Sequence, residues 1–192
     1  MQVDCAFDEE SHVGTIGGRI VPSVTGILKA GGFEPYGSEW HMAKGRAVHL
    51  ACQYLDEGGL DWSSISDEIL PYLMAYELFK KESGFKPTRI EERLFHPTLM
   101  FTGQIDRVGE VPNDKSQWLI DIKSGHPGPY CSLQTAGYNL LLPVLKYPRK
   151  RFGLHLKENG SYSLIEYKDS QDQGIFLALL AIHNWKKNHG ID

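Results

Sequence analysis

Two short stretches place ionisable side chains where apolar ones belong. "GQIDRV" at 103–108 and "LIDIKSG" at 119–125 both read as β-strand, yet they carry Asp106, Asp121 and Lys123 among Ile105, Val108, Leu119, Ile120 and Ile122. Alternation along the second strand puts Leu119, Asp121 and Lys123 on one face and Ile120 and Ile122 on the other, so Asp121 and Lys123 project together. Pairing of the two strands would bring Asp106 close to Asp121, and neighbouring carboxylates repel unless a cation lies between them. Hard oxygen ligands suit Mg²⁺ or Mn²⁺. A nearby lysine can orient or deprotonate a water and offset charge developing on a phosphate. The set points to metal-assisted phosphodiester hydrolysis, although a single D-x-K also fits charges on a solvent-facing edge strand.

The elements that must position these residues can be read from periodicity and punctuation. "VPSVTGILKAGGF" (21–33) is expected to be a short helix with a serine cap and a Gly-Gly stop, preceded by a strand or a loose arm. Residues 39–55 have apolar side chains at helical spacing and end at "DEGG", and residues 66–85 give a further helix, with Pro71 marking a kink or a later start. After Pro87 the texture becomes three strands in an antiparallel meander: "TRIEERLFH", "MFTGQIDRVGEV" and "QWLIDIKS". A helix over 131–145, a hairpin turning at "ENG" and a final amphipathic helix complete the chain. The expected architecture is one α/β or α+β domain with a central mixed sheet.

Taken in order, "PSVTGIL", "GRAVH", "IEERLFHP", "GQIDRVGE", "WLIDIKSG" and "LQTAGYNLL" resemble the RecB-type exonuclease branch of the PD-(D/E)xK nuclease superfamily, which includes phage exonucleases and the mitochondrial genome-maintenance exonuclease group. The resemblance runs from about Pro22 to Leu142, and the order of the motifs is far more specific than any one of them. It implies a restriction-endonuclease-like α/β fold, a central mixed β-sheet flanked by helices with an N-terminal helical portion. It divides residues 1–192 into a possible arm (1–20), a helical portion (22–85) and a sheet core (87–192) within a single nuclease domain.

The resemblance also implies roles. His49 of the G-x-x-x-H helix, Asp106, Asp121 and the carbonyl of Ile122 would be metal ligands. Asp106, Asp121 and Lys123 would act in catalysis together with Gln134 and Tyr138, whose spacing of four sets both on one helical face. Glu91 is preferred to Glu92 because it shares strand parity with Arg93 and Phe95 and leads Asp106 by fifteen residues. The implied cofactor is Mg²⁺ or Mn²⁺. Relatives with an iron–sulfur cluster carry three cysteines after the glutamine–tyrosine motif, and this chain has none after Cys131, so no iron–sulfur cluster is expected.

Composition bounds the rest. The 192 residues, 41% hydrophobic, suit one domain with a substantial core. Cys5, Cys52 and Cys131 have no C-x-x-C pairing and read as free thiols. No apolar run approaches a bilayer span, and the acidic N-terminus is unlike a secretory signal, so a cytoplasmic location is expected and no membrane partner. The net charge of −4 is carried by Asp4, Asp8, Glu9 and Glu10, which leaves the remainder neutral. Lys146, Arg149, Lys150 and Arg151, with no acid between Leu140 and Lys157, could form a basic face for nucleic acid or a solvated surface. Tyr36 and Trp40 could stack on bases or pack in the core.

No Walker signature is present, so the chain reads as a nuclease module without a motor. The implied partner is DNA, as single strands or duplex ends, in phage DNA processing, recombination or repair, and a recombinase or single-strand-binding protein is a further partner the reading allows. Two other functions fit parts of the sequence. One is an inactive nuclease-fold protein that binds nucleic acid or assembles with others; the second is an iron oxygenase, which leaves the D-x-K lysine without a role.

Overall fold

The computed structural model describes residues 3–33, 39–125 and 128–191. Three short antiparallel strands, β1 (Cys5–Asp8), β2 (Val13–Ile16) and β3 (Arg19–Val21), come first, so the segment open between strand and loose arm is a small sheet. It is tied to the main body where the Thr102 amide donates to the Pro22 carbonyl at 2.9 Å. Helix α1 (Val24–Ala30) follows at once, capped by the Ser23 hydroxyl, which accepts from the Gly26 amide.

Helices α2 (Glu39–Glu57) and α3 (Leu70–Ser83) come next, then β4 (Lys86–His96), β5 (Phe101–Glu110), β6 (Trp118–Lys123), α4 (Cys131–Leu140), β7 (Lys150–Leu156), β8 (Tyr162–Tyr167) and α5 (Asp172–Asn188). Of the kink or later start expected at Pro71, the structure shows the later start, at Leu70. Proline lacks the amide that an interior helical position needs, and Pro71 falls in the first turn, where that loss costs nothing. The helix expected over 131–145 stops at Leu140, shortly before Pro143.

The main sheet has the order β4-β5-β6-β7-β8. Its pairs are antiparallel except β6–β7, which run parallel because α4 crosses over between them. This is the central mixed sheet flanked by helices that the sequence leads one to expect. The two faces bury separate cores. Ile120 and Ile122 of β6 pack with α2, α3 and the Phe152 side of β7, whereas Leu119 packs with α1, α4, α5 and β5. Apolar burial on both faces accounts for the near-continuous hydrophobic character of β6. Among the described residues, no helix is long and apolar enough to cross a membrane. Cys5 is exposed, Cys52 and Cys131 are buried, and all three are free thiols.

Candidate active site

The pairing of β5 with β6 covers only Gly109↔Trp118, Val108↔Leu119 and Arg107↔Ile120, and beyond that point the ladder ends. There the Asp106 carboxylate replaces a ladder acceptor, taking the Ile122 amide on Oδ2 at 2.6 Å. The same residue is gripped from α2, where His49 Nε2 lies 3.0 Å from the Ile122 carbonyl. The other imidazole nitrogen, Nδ1, faces two carboxylates, Glu91 Oε1 at 3.3 Å and Asp106 Oδ1 at 3.7 Å. Donor atoms of His49, Glu91 and Asp106 all lie within 4.8 Å of one another.

Glu91 reaches this point through an unusual backbone. Its φ is +46°, a left-handed conformation that a non-glycine residue adopts at a cost of about 1–3 kcal/mol. The carboxylate is fixed by further donors, Arg107 at 2.8 Å and Gln104 at 3.1 Å. Glu92 instead pairs with Arg89 at 3.3 Å, so Glu91 is the acid of the two that faces the cluster. Glu91 and Arg93 lie on one side of β4, as strand parity leads one to expect, and both meet the Gln104 side chain.

Behind Glu91 stands a buried charge network absent from the sequence reading. Arg107 is fully buried and bridges Glu91 to Asp56 of α2, whose Oδ2 it meets at 2.7 Å; Tyr76 and Lys80 of α3 also donate to Asp56. Asp56 lies in the "DEGG" that reads as a helix stop. Arg107 looks like an edge charge, and the only hint of its place was that it interrupts a run of strand residues buried on both sides.

On the other side of Ile122, Lys123 lies 2.9 Å from Asp121 Oδ2 and 3.2 Å from the Gln134 carbonyl oxygen, while the Gln134 amide donates to the Tyr138 hydroxyl at 2.9 Å. Gln134 and Tyr138 therefore do face one region. The glycine of "GQID" makes this possible: a Cβ on Gly103 would come within 2.8 Å of Leu141, 3.0 Å of Val24 and 3.1 Å of Tyr138, so α1 and α4 could not close over β5. Ser23, Thr25, Arg93, Gln104 and Tyr138 line a cavity of about 240 Å³ that opens onto Glu91 and Asp106.

The electrostatics identify what the cluster lacks. Burial drives the Asp106 pKa up, the His49 charge opposes this, and Asp121 and Glu91 add to the rise, leaving it at about 6. Burial alone would lower the His49 pKa, but the Asp106 charge and the Glu91 hydrogen bond overcome it and push it up to about 9. At neutral pH the imidazole is thus a cation donating from both nitrogens, a positive charge among crowded acids. Burial likewise opposes the Lys123 charge, but Asp121 and Asp106 outweigh it and hold the pKa above the ordinary value in the metal-free protein.

A stability effect follows. A histidine whose pKa rises from 6.5 unfolded to about 9 folded contributes stability that is complete below pH 6.5 and is lost as the pH climbs through 9. Thermal melts in chelator should therefore show the melting temperature falling across that window, with a shallower fall in His49→Gln. An equal slope in the two proteins would contradict the assignment.

The basic residues behave differently. Lys150 pairs with Asp114 at 2.6 Å and Arg151 with Asp172 at 2.8 Å, while Arg149 meets Gln117 at 3.2 Å and Lys146 lies 5.6 Å from the Tyr147 ring. Lys150 also stands opposite Trp118 at the start of β6, roughly 16 Å along the strand from Lys123 at about 3.3 Å per residue. Two of these four charges, Lys150 and Arg151, are therefore paired with acids of the same chain. Trp40 is half exposed, with the Lys44 ammonium 4.5 Å above its ring. Tyr36 lies outside the described residues.

The fold and site define a mixed α/β domain with one imidazole and several carboxylates converging where two strands part. No family model matches the chain, and no curated protein does. Among solved structures the chain is similar to an alkaline exonuclease (LHK-Exo) from Laribacter hongkongensis, with 17% identity and a TM-score of 0.40 over 88% of this chain and 92% of that one.

Proposed function

We propose that this protein is a divalent-metal-dependent deoxyribonuclease that hydrolyses phosphodiester bonds, acting as an exonuclease on DNA ends or single strands. The observation that carries the reading is the convergence of His49, Glu91 and Asp106 beside the Asp121–Lys123 pair. One imidazole and several carboxylates are a donor set suited to Mg²⁺ or Mn²⁺, and Asp121 and Glu91 add to the rise that burial imposes on the Asp106 pKa, a crowding that a bound cation would offset. His49, Glu91 and Asp106 would hold the ion, with Asp121 and the Ile122 carbonyl as the further ligands that the resemblance implies. When bound, Mg²⁺ or Mn²⁺ lowers the pKa of a water and neutralises phosphate charge.

The remaining work falls to the chain's own groups. Lys123, kept charged and aimed by Asp121 and Gln134, donates to a phosphate oxygen as charge accumulates there, an interaction that strengthens toward the transition state. Arg107 and Gln104 hold the Glu91 carboxylate in place, so the positions of the acids do not depend on the substrate. Gln134 and Tyr138 form the wall against which the strand is oriented. Phage recombination, DNA processing or repair is the setting that the motif order suggests.

The test is digestion of labelled DNA in Mg²⁺ or Mn²⁺, comparing linear with covalently closed circular substrate. Degradation of the linear form with the circle left intact is expected. Efficient cutting of circles contradicts the exonuclease mode, and stable DNA binding without any cutting favours an inactive binding protein.

A further inference from the structure

The edge of β5 that β6 leaves at Arg107 does not stay open to the start of the strand. At Thr102 the segment entering α1 takes the place of β6: the Thr102 amide donates to the Pro22 carbonyl at 2.9 Å, and Ser23 forms a parallel bridge with Thr102. Between Asp106 and Thr102 the gap runs for roughly 13 Å, at about 3.3 Å per residue. The cavity of about 240 Å³ lies in this gap, with Glu91 and Asp106 toward one end and Ser23 toward the other. Pockets that enclose a drug-sized ligand run to about 300–1,000 Å³, so a nucleotide is the most that this one holds.

The N-terminal sheet stands behind the far end. Phe7, Gly14 and Val21 lie side by side across its strands. A Cβ on Gly14 would come within 2.8 Å of the Thr102 methyl and 3.5 Å of the Phe95 ring, so β2 lies directly on the β4–β5 pair there. Phe7 covers Arg93, whose guanidinium carbon is 3.7 Å from the ring centroid, while Arg93 donates to Gln104 at 2.8 Å and lines the cavity. Ile16 and Val21 are buried, which packs the small sheet down onto the body. A strand whose scissile phosphate sits at His49, Glu91 and Asp106 therefore has one short pocket ahead of it and then a closed wall.

The outer side of the wall carries the wrong charge for a strand that continues. The acids that give the chain its net charge of −4, Asp4, Asp8, Glu9 and Glu10, all belong to this arm, and Glu9 and Glu10 are exposed in the turn that follows β1. Burial lowers the Arg93 pKa, and the Glu9 charge opposes the fall, which places Glu9 in the field of the wall itself. A phosphodiester backbone running on past Phe7 would meet these carboxylates, and like charges brought together oppose binding.

We propose that the N-terminal sheet is the backstop of the strand path: Phe7 on Arg93 and the acidic turn after β1 close the cleft beyond one nucleotide, so that only a strand with a free end can seat at the cluster. The proposal rests on the exonuclease reading for the product released. The preference for a free end belongs to binding and is measured without cleavage.

The experiment binds one labelled single-stranded oligonucleotide, linear or ligated into a circle, to the full chain in Ca²⁺, a hard cation that oxygen ligands also accept. The wild type is expected to prefer the linear form by about tenfold or more, since the wall excludes the circle and its acids repel it. Phe7→Ala opens the wall, and Glu9→Gln with Glu10→Gln discharges it at exposed positions. The preference should fall severalfold in each, and most when they are combined. In Mg²⁺ the variants should release longer oligonucleotides and begin to cut circles, where the wild type releases mononucleotides. Equal binding of circle and linear strand by the wild type overturns the proposal, as do folded variants that keep the full preference. An end preference that the variants lose, in a wild type that cuts nothing, upholds the backstop and rejects the nuclease reading. A wild type that binds neither form overturns both.

Discussion

Asp106→Asn is expected to reduce cleavage by about 10³ or more while leaving the metal-free protein at least as stable as the wild type near pH 8. The two effects share one cause. Asp106 sits at the meeting point of β5, β6 and His49, and its pKa of about 6 means that its surroundings as a whole disfavour the carboxylate. Asparagine keeps an oxygen for the Ile122 amide, which Asp106 Oδ2 now accepts at 2.6 Å, and relieves the crowding with Asp121 and Glu91. What it removes is a charged metal donor, worth several kcal/mol of transition-state stabilisation, and each 1.36 kcal/mol is a factor of ten in rate. Single-turnover cleavage and thermal melts of the same preparations check both halves. A variant that is both inactive and unfolded would show that Asp106 serves the fold instead of the chemistry.

Arg107→Met is expected to act in the opposite sense, costing about 3–5 kcal/mol of stability. Removing one member of a buried ion pair strands its partners, and Arg107 is the shared cation of Asp56 and Glu91, at 2.7 and 2.8 Å, with no exposure to water. Urea unfolding of Arg107→Met, Asp56→Ala and the double variant should show losses that are far from additive, because once Arg107 is gone there is less left for Asp56 to lose. Additive losses would mean that the pair is not a unit. Cleavage should fall as well, since Glu91 would keep its strained backbone without its strongest anchor.

The contrast between these residues explains what the sequence could convey. Asp106, Asp121 and Lys123 can be picked out because polar residues stand out in apolar strands, and Gln134 and Tyr138 because a spacing of four sets them on one helical face. Helix and strand boundaries came within a few residues wherever periodicity and punctuation agreed, and at α3 it is Pro71, not the Ser66 capping signal, that marks the start. Arg107 and Asp56 are far apart in the chain and meet only when α2 lies over the sheet, so no local pattern marks them. Lys150 and Arg151 show the reverse: a run of bases is visible in sequence, whereas Asp114 and Asp172, which pair with these two members of it, come from elsewhere.

The central claim, that the cluster around His49, Glu91 and Asp106 serves metal-dependent DNA hydrolysis, is tested most directly by one digestion series. Wild type and Asp121→Asn would be incubated with end-labelled single-stranded and duplex DNA, blocked at the 5′ or 3′ end, in Mg²⁺, in Mn²⁺ and in excess EDTA. The expected result is degradation by the wild type in either cation, none in EDTA and none by the folded variant, with one blocked end protected. Undiminished cutting in EDTA, or by Asp121→Asn, would contradict the account.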